Sequence, residues 1–271
     1  NFKGKNKKYI MGILNITPDS FYDGGRYLEK DIVLKRVEKM LEEGADIIDM
    51  GAYSTRPGAK VVSEEEELKR LSSFIHSIYL YFPEIKISID TYRSKVAEKM
   101  IKDYDVSIIN DISGGTLDDK MFQLIADNPQ VSYILMHMRG APQTMQSQEN
   151  TTYKDLLTEM LDFFETRISD LKSLNVNNII IDPGFGFAKT IEQNYELLKN
   201  LSKFTIFEQA ILVGLSRKSM LWKLLNTSPE QSLNATTVVN TLALANGATI
   251  LRVHDVKETA ETIKIFNQYN K

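Results

Sequence analysis

Eight short apolar runs alternate with amphipathic stretches along the whole 271-residue chain, and this alternation constrains the fold more than any single motif. The runs are Tyr9–Asn15, Asp46–Gly51, Lys86–Asp90, Ser107–Asn110, Ser132–His137, Asn178–Asp182, Ala210–Gly214 and Thr249–Arg252. Ile179-Ile180-Ile181 has no polar alternation, the mark of a strand buried on both faces. Between the runs, apolar residues recur at helical spacing. Leu157, Met160, Leu161, Phe164, Ile168 and Leu171 form the clearest face, and Val33, Val37, Met40 and Leu41 an earlier one. Eight strands alternating with helices over about 250 residues predict a single α/β TIM barrel, (β/α)8, with parallel strands. A doubly wound open sheet is the alternative. No Gly/Pro/Ser-rich linker interrupts the pattern, so residues 1–271 are expected to form one domain, with 1–8 as an N-terminal extension.

In a barrel of this kind the C-terminal strand ends converge on one mouth. Here they carry Asn15, Asp90, Asn110, His137, Asp182, the run Ser216–Ser219, and Arg252 with His254. Asp182 is followed by Pro183, Gly184 and Gly186, which stop the strand and open a loop. Any one of these residues reads equally well as a turn former or helix cap. Seven polar ends out of eight, with carboxylates and cations together, indicate a site.

Asp90, Asn110 and Asp182 form a set of acceptors. Buried carboxylates need donors, and a heterocycle with an amino group beside a ring N–H supplies them. The structural alternative is that Asp90 caps the helix starting near Arg93 and pairs with it. Ser54-Thr55-Arg56-Pro57-Gly58 suits a phosphate, with hydroxyls and a guanidinium on a Pro/Gly loop. Arg252 and His254 add cationic groups to the same rim. Ser216–Ser219 opens a helix whose N–H groups favour an anion, and Ser216 alternatively only caps it. The long loop Asn15–Gly25 is either a passive connection or a lid, with Phe21 as an apolar contact. In the acidic run Glu64–Glu67, Ser63 is expected to cap a helix and Glu66 to complete a capping box. His76 reads as a surface or core-edge residue.

A formal charge of −3 and a pI near 5.8 argue against a surface for nucleic acid or anionic membrane. No apolar run approaches the roughly 20 residues of a membrane span. There is no cysteine, which fits a reducing compartment such as the cytoplasm. The basic segment Asn1–Lys8 precedes no apolar signal core, so no secretory signal is expected. With no cysteine and three scattered histidines, zinc and redox metals are disfavoured. An oxygen-ligated Mg2+ held mostly by phosphate fits better.

Seven segments taken together resemble the dihydropteroate synthase family. They are Asn15-Ile-Thr-Pro-Asp-Ser-Phe21, Ser54-Thr-Arg-Pro-Gly-Ala59, Ser88-Ile-Asp-Thr91, Asn110-Asp-Ile112, Asp182-Pro-Gly-Phe-Gly-Phe187, Gly214-Leu-Ser-Arg-Lys-Ser219 and Arg252-Val-His-Asp255. The match runs in order from about Ile10 to Val256. The resemblance implies a pterin-binding transferase of folate biosynthesis. Such an enzyme joins 4-aminobenzoate to 6-hydroxymethyl-7,8-dihydropterin diphosphate, uses Mg2+, is competed by sulfonamides and works as a homodimer. It implies that Asp90, Asn110, Asp182 and Lys218 hold the pterin, with Ile112, Met136 and Arg252 packed on its faces. Asn15 would hold the metal. Asn15, Thr55, Arg56, Arg252 and His254 would take the diphosphate. Phe21, Pro57, Phe187, Lys218 and Ser219 would form the aminobenzoate pocket, and Lys218, Asp90, Asp182 and Arg252 would carry the catalysis.

Three positions depart from the family pattern. Tyr53 stands where an acid is usual, Ala188 where glycine is usual, and Arg139 where glutamine is usual. Two other readings share the pterin-holding carboxylates: a methyltransferase domain using a methylated folate, and a non-catalytic pterin-binding paralogue. The arginine-bearing loop Ser54–Gly58 argues against the first, and the intact cation set against the second.

Overall fold

The computed structural model describes residues 2, 7–16, 26–53 and 62–271. Eight parallel strands close into a barrel in sequence order, with β8 hydrogen-bonded back to β1. They are β1 (Tyr9–Asn15), β2 (Ile47–Gly51), β3 (Lys86–Asp90), β4 (Ile108–Asp111), β5 (Ser132–Met136), β6 (Ile179–Asp182), β7 (Ala210–Val213) and β8 (Ile250–Val253). The barrel is the expected fold, and the open sheet is excluded. Around it lie α1 (Arg26–Glu42), α2 (Glu64–Tyr81), α3 (Ser94–Tyr104), α4 (Met121–Ala126), α5 (Gln148–Thr151), α6 (Leu156–Ser173), α7 (Ile191–Lys199), α8 (Ser219–Trp222), α9 (Leu233–Ala245) and α10 (Val256–Tyr269). A 3-10 segment, Leu201–Phe207, links α7 to β7. Among the described residues no helix is long and apolar enough to cross a membrane.

Strand side chains alternate between the lumen and the helical shell, and this period of two decides what reaches the mouth. Outward positions such as Ile48, Met50, Ile87, Ile89, Ile109, Leu135, Ile181 and Val213 join the large core against the helices. On α6 that core takes Met160, Phe164, Ile168 and Leu171, the expected face. Inward positions near the strand starts, Met11, Ile47, Ile108, Ile134, Ile180, Leu212 and Ile250, form a second apolar cluster that fills the lower lumen. Phe2 belongs to this cluster and meets Tyr9 edge to face at 5.0 Å, so its ring helps close the barrel floor. One pleat higher the inward positions turn polar. Asp49, Ser88, Asp90, Asn110, Asp182 and Arg252 sit there, two residues beyond the apolar layer on several strands.

The start of α2 departs from the sequence reading. Ser63 caps the helix as expected, its Oγ accepting from the Glu66 N–H at 3.2 Å. Glu66 does not complete a capping box. Its carboxylate takes Arg70 Nε at 2.8 Å, and Arg70 Nη1 donates to the Ala52 carbonyl at 2.9 Å. Glu67 is not a solvated acid but fully buried, paired with Arg93, whose Nη2 reaches the Val62 carbonyl at 2.7 Å. Burial pushes the Glu67 carboxyl up, opposed by Thr91 and Arg93. Removing one partner of a buried pair leaves an uncompensated charge. We therefore expect Arg93→Ala to lower unfolding free energy by about 3–5 kcal/mol in urea titration. Lys99→Ala, which breaks an exposed pair with Asp103 on α3, should leave the midpoint unchanged.

Candidate active site

A guanidinium between two carboxylates organises the polar layer of the lumen. Arg252, on β8, donates from Nε to Asp49 Oδ2 at 2.7 Å and from Nη2 to Asp90 Oδ2 at 3.0 Å. Asp49 Oδ2 also accepts from Asn110 Nδ2 at 3.1 Å. Four strands are thereby joined through three side-chain contacts. Asn110 Oδ1 is buried with no hydrogen-bond partner, and so is Asp49 Oδ1. Burial raises the Asp90 carboxyl to about 7, against the pull of Arg252 and with a further push from Asp49. The Asp182 carboxyl is raised too, chiefly by burial, while the Gly184 N–H at 2.8 Å, Lys218 and Arg252 oppose the shift.

Above this layer lies a small apolar cluster of Ile112, Met136, Met138, Met145 and Ala188, with Tyr53, Tyr92 and Phe187 against it. Lys218 Nζ stands 4.4 Å from the Phe187 ring centroid. It passes Gly186 so closely that a Cβ there would lie 3.0 Å from its Cδ. Burial, then Arg252, lowers its ammonium to about 8. The site thus combines acceptors at the bottom, apolar and aromatic walls beside them, and two cations, Arg252 and Lys218. Such a pocket takes a flat, donor-edged heterocycle and steers negative charge to the rim.

The structure brings Asp90, Asn110, Ile112, Met136, Asp182, Phe187, Lys218 and Arg252 together at the mouth of the barrel. The alternative role for Asp90 does not hold. Arg93 pairs with Glu67, and the Ser94 N–H at the start of α3 is taken by Asp118 Oδ2 at 2.7 Å. Asn15 is exposed at the end of β1, and Ser219 at the start of α8. α8 has only four residues and is capped at Lys218 without a side-chain bond, so it offers little dipole to an anion. Ser216 is no cap either. Its Oγ accepts from the His254 N–H at 3.2 Å and lies 3.0 Å from His254 Nδ1. His254 was expected as a cation. Burial, with Arg252 and Arg217 nearby, lowers it to about 4, so near neutral pH it is a neutral hydrogen-bonding group. Phe21, Thr55, Arg56 and Pro57 lie outside the described residues.

His137 does not reach the mouth. β5 ends one residue earlier, at Met136, which takes the inward position. The imidazole turns outward, edge to face on Phe163 at 5.0 Å. The three departures from the family pattern also find places. Tyr53 donates its hydroxyl to Asp90 Oδ1 at 3.3 Å. Arg139 pairs with Glu159 and lies 3.8 Å over the Tyr153 ring. Ala188 is buried with φ 50°, a left-handed conformation that glycine adopts more easily. Sequence reading missed Asp49 and Lys189. A lone carboxylate inside the apolar run Ile47-Ile48-Asp49-Met50 was the available signal, since a buried charge needs a partner.

The raised Asp90 value makes a stability prediction. The folded state binds the proton up to about 7, while an unfolded carboxylate releases it near ~4. Unfolding free energy therefore falls as pH rises between these values and is level above them. Asp90→Asn removes this slope. Urea midpoints from pH 4 to 8 should show the variant gaining on wild type up to about pH 7 and no further.

Comparison with known proteins agrees with the geometry. A profile of the pterin binding enzyme family matches residues 11–254. A dihydropteroate synthase of Clostridium beijerinckii is 42% identical over 262 residues, 96% of this chain and 93% of that protein. The mitochondrial folate synthesis bifunctional protein of Arabidopsis thaliana is 39% identical over 275 residues, 96% of this chain and 49% of that protein. The chain thus spans about half the length of that relative. A solved dihydropteroate synthase from Clostridium difficile, crystallised in the presence of pteroic acid, matches with a TM-score of 0.89 and 38% identity. That match covers 98% of this chain and 97% of the other. With a family profile over most of its length and a relative this similar end to end, the chain belongs to the dihydropteroate synthase family of pterin-binding enzymes.

Proposed function

We propose that this transferase joins 4-aminobenzoate to 6-hydroxymethyl-7,8-dihydropterin diphosphate, releasing 7,8-dihydropteroate and pyrophosphate in folate biosynthesis. The observation that carries the reading is the acceptor row in the lumen: Asp90, Asp182 and the unpartnered Asn110 Oδ1. A pterin presents an amino group and ring N–H groups along one edge, which complements such a row. Ile112 and Met136 supply apolar faces for its ring. Arg252, held by Asp49 and Asp90, keeps further donors for the pterin face and the diphosphate, because a guanidinium has five. Asn15, Thr55, Arg56 and neutral His254 complete the diphosphate contacts in this reading. Phe21, Pro57, Phe187, Lys218 and Ser219 line the aminobenzoate side, where sulfonamides are expected to compete.

Mg2+ fits the donors at the mouth. A Cβ on Gly51 would lie 3.6 Å from Asp90 Oδ2 and 3.8 Å from Asn15 Oδ1, so glycine leaves room between two hard oxygen donors. Among the described residues no cluster of three His, Cys, Asp or Glu could hold a metal alone, so diphosphate oxygens would supply most ligands. When bound, the ion neutralises the leaving pyrophosphate.

In the reaction the carbon–oxygen bond from the pterin methylene to the diphosphate breaks. The arylamine nitrogen forms the new bond with its lone pair and loses a proton to pyrophosphate or solvent. Asp90 and Asp182 stabilise the cationic character that develops on the pterin, and Arg252 the charge that leaves. The Phe187 ring orients the arylamine beside Lys218. No strong base is required, because a neutral arylamine is already a nucleophile. By the same family resemblance we assign a homodimer, and the absence of cysteine fits a reducing compartment such as the cytoplasm.

Mixing the protein with both substrates and Mg2+ should release pyrophosphate and dihydropteroate, and a chelator should stop it. No release of pyrophosphate would instead leave a non-catalytic pterin-binding paralogue. Asp182→Asn presents donors to a donor edge and should weaken pterin binding by about 1.5–3 kcal/mol in calorimetry, the worth of a charge-assisted hydrogen bond. Lys218→Ala should cut turnover severely while leaving thermal stability level or raised, because the lowered ammonium value marks a group whose charge is costly to bury. Unfolding as its main effect would defeat that assignment.

A further inference from the structure

Lys189 is 2% exposed, and the chemistry above makes no use of it. It follows the loop that ends β6 and lies behind that loop, on the side away from the lumen. Its ammonium donates to the Gly184 carbonyl at 3.1 Å and to the Phe187 carbonyl at 3.0 Å. Its third contact is His137 Nδ1 at 3.1 Å. Burial, then the Lys189 and Arg139 charges, holds His137 neutral, and a neutral imidazole nitrogen can accept from an ammonium. Burial lowers the Lys189 ammonium to about 7, and in that charged form its three donors are all satisfied. A long apolar side chain would fill the same volume without the cost of burying a charge. The ammonium is there for what it holds.

It holds the two ends of a tight turn. The Phe187 N–H donates to the Gly184 carbonyl at 3.1 Å, and Gly184 and Gly186 both have positive φ. A Cβ on Gly184 would lie 2.1 Å from the His137 carbonyl, so the turn is pressed directly onto the residue that follows β5. Asn194 Oδ1 accepts from the Gly186 N–H at 2.7 Å, and Gln146 Nε2 donates to the Gly186 carbonyl at 2.9 Å. On the lumen side the same turn presents the Phe187 ring to Lys218.

We propose that Lys189 is a positioning residue for the arylamine. Its ammonium clamps the Gly184–Phe187 turn from behind and so fixes the Phe187 ring opposite Lys218. This rests on the assignment of Phe187 to the aminobenzoate wall, and the experiment separates the two claims.

Steady-state kinetics would compare wild type, Phe187→Ala, Lys189→Met and Lys189→Cys. Lys189→Met should raise the KM for 4-aminobenzoate about tenfold or more, with a change of less than about threefold in kcat and in the KM for the pterin diphosphate. The chain has no cysteine, so alkylating unfolded Lys189→Cys with 2-bromoethylamine and refolding it places a lysine analogue at this position alone. That product should recover the wild-type KM, with refolded wild type as control. If Phe187→Ala leaves the aminobenzoate KM unchanged, the wall assignment fails and the proposal with it. If Phe187→Ala raises it and Lys189→Met does not, the wall stands and the positioning role is overturned. Equal losses for both substrates, no recovery on alkylation, or failure of both Lys189 variants to fold would make Lys189 a residue of stability only.

Discussion

The contact on which the upper lumen depends is Arg252 between Asp49 and Asp90. Three charges in a closed barrel are costly unless paired and hydrogen-bonded. The pairing here leaves one negative charge in excess of the guanidinium. Burial raises Asp90 in response. By itself the protein is therefore a poor host for the Asp90 carboxylate, and a ligand that brings donors makes it a better one. Ligand binding and relief of this frustration are the same event, so stability and recognition pull in opposite directions at Asp90.

How much of this was legible in the chain follows from parity. The eight strands could be read from apolar runs because a barrel strand is buried on both faces, and the bounds moved by no more than one residue. Asp90, Asn110, Asp182 and Arg252 were legible because each interrupts or ends an apolar run at a strand's C-terminal side. His137 misled because one residue of difference at the end of β5 separates lumen from shell. Asp49 was not legible as a site residue because it lies within an apolar run, two residues before the end of β2. Its role became visible only when β2, β4 and β8 were brought together, since its partners are 61 and 203 residues away.

Electrostatic context was less legible than position. Nothing local told that Glu67, in a run of four acids, would be fully buried against an arginine 26 residues on. Nothing local told that His254 would be neutral, because its value is set by burial and by Arg252 and Arg217. Lys189 carries the same lesson. A lysine after a glycine-rich turn reads as a solvated residue until the fold sets its ammonium against the Gly184 and Phe187 carbonyls and His137.

The inward and outward alternation has a consequence for how this barrel can change. Adjacent residues Asn110 and Asp111 have opposite roles. One faces the ligand layer, and the other faces outward to hold the Ser113 and Gly115 N–H groups and the Tyr133 hydroxyl. A one-residue insertion within β4 would exchange them, because a single-step slip inverts every side chain of a strand. The lumen would then receive a fourth carboxylate beside Asp49, Asp90 and Asp182, and the shell would lose an anchor for the following turn. A strand of this barrel can therefore take a change of composition that keeps parity, and a change of length is tolerated in the connections rather than within it.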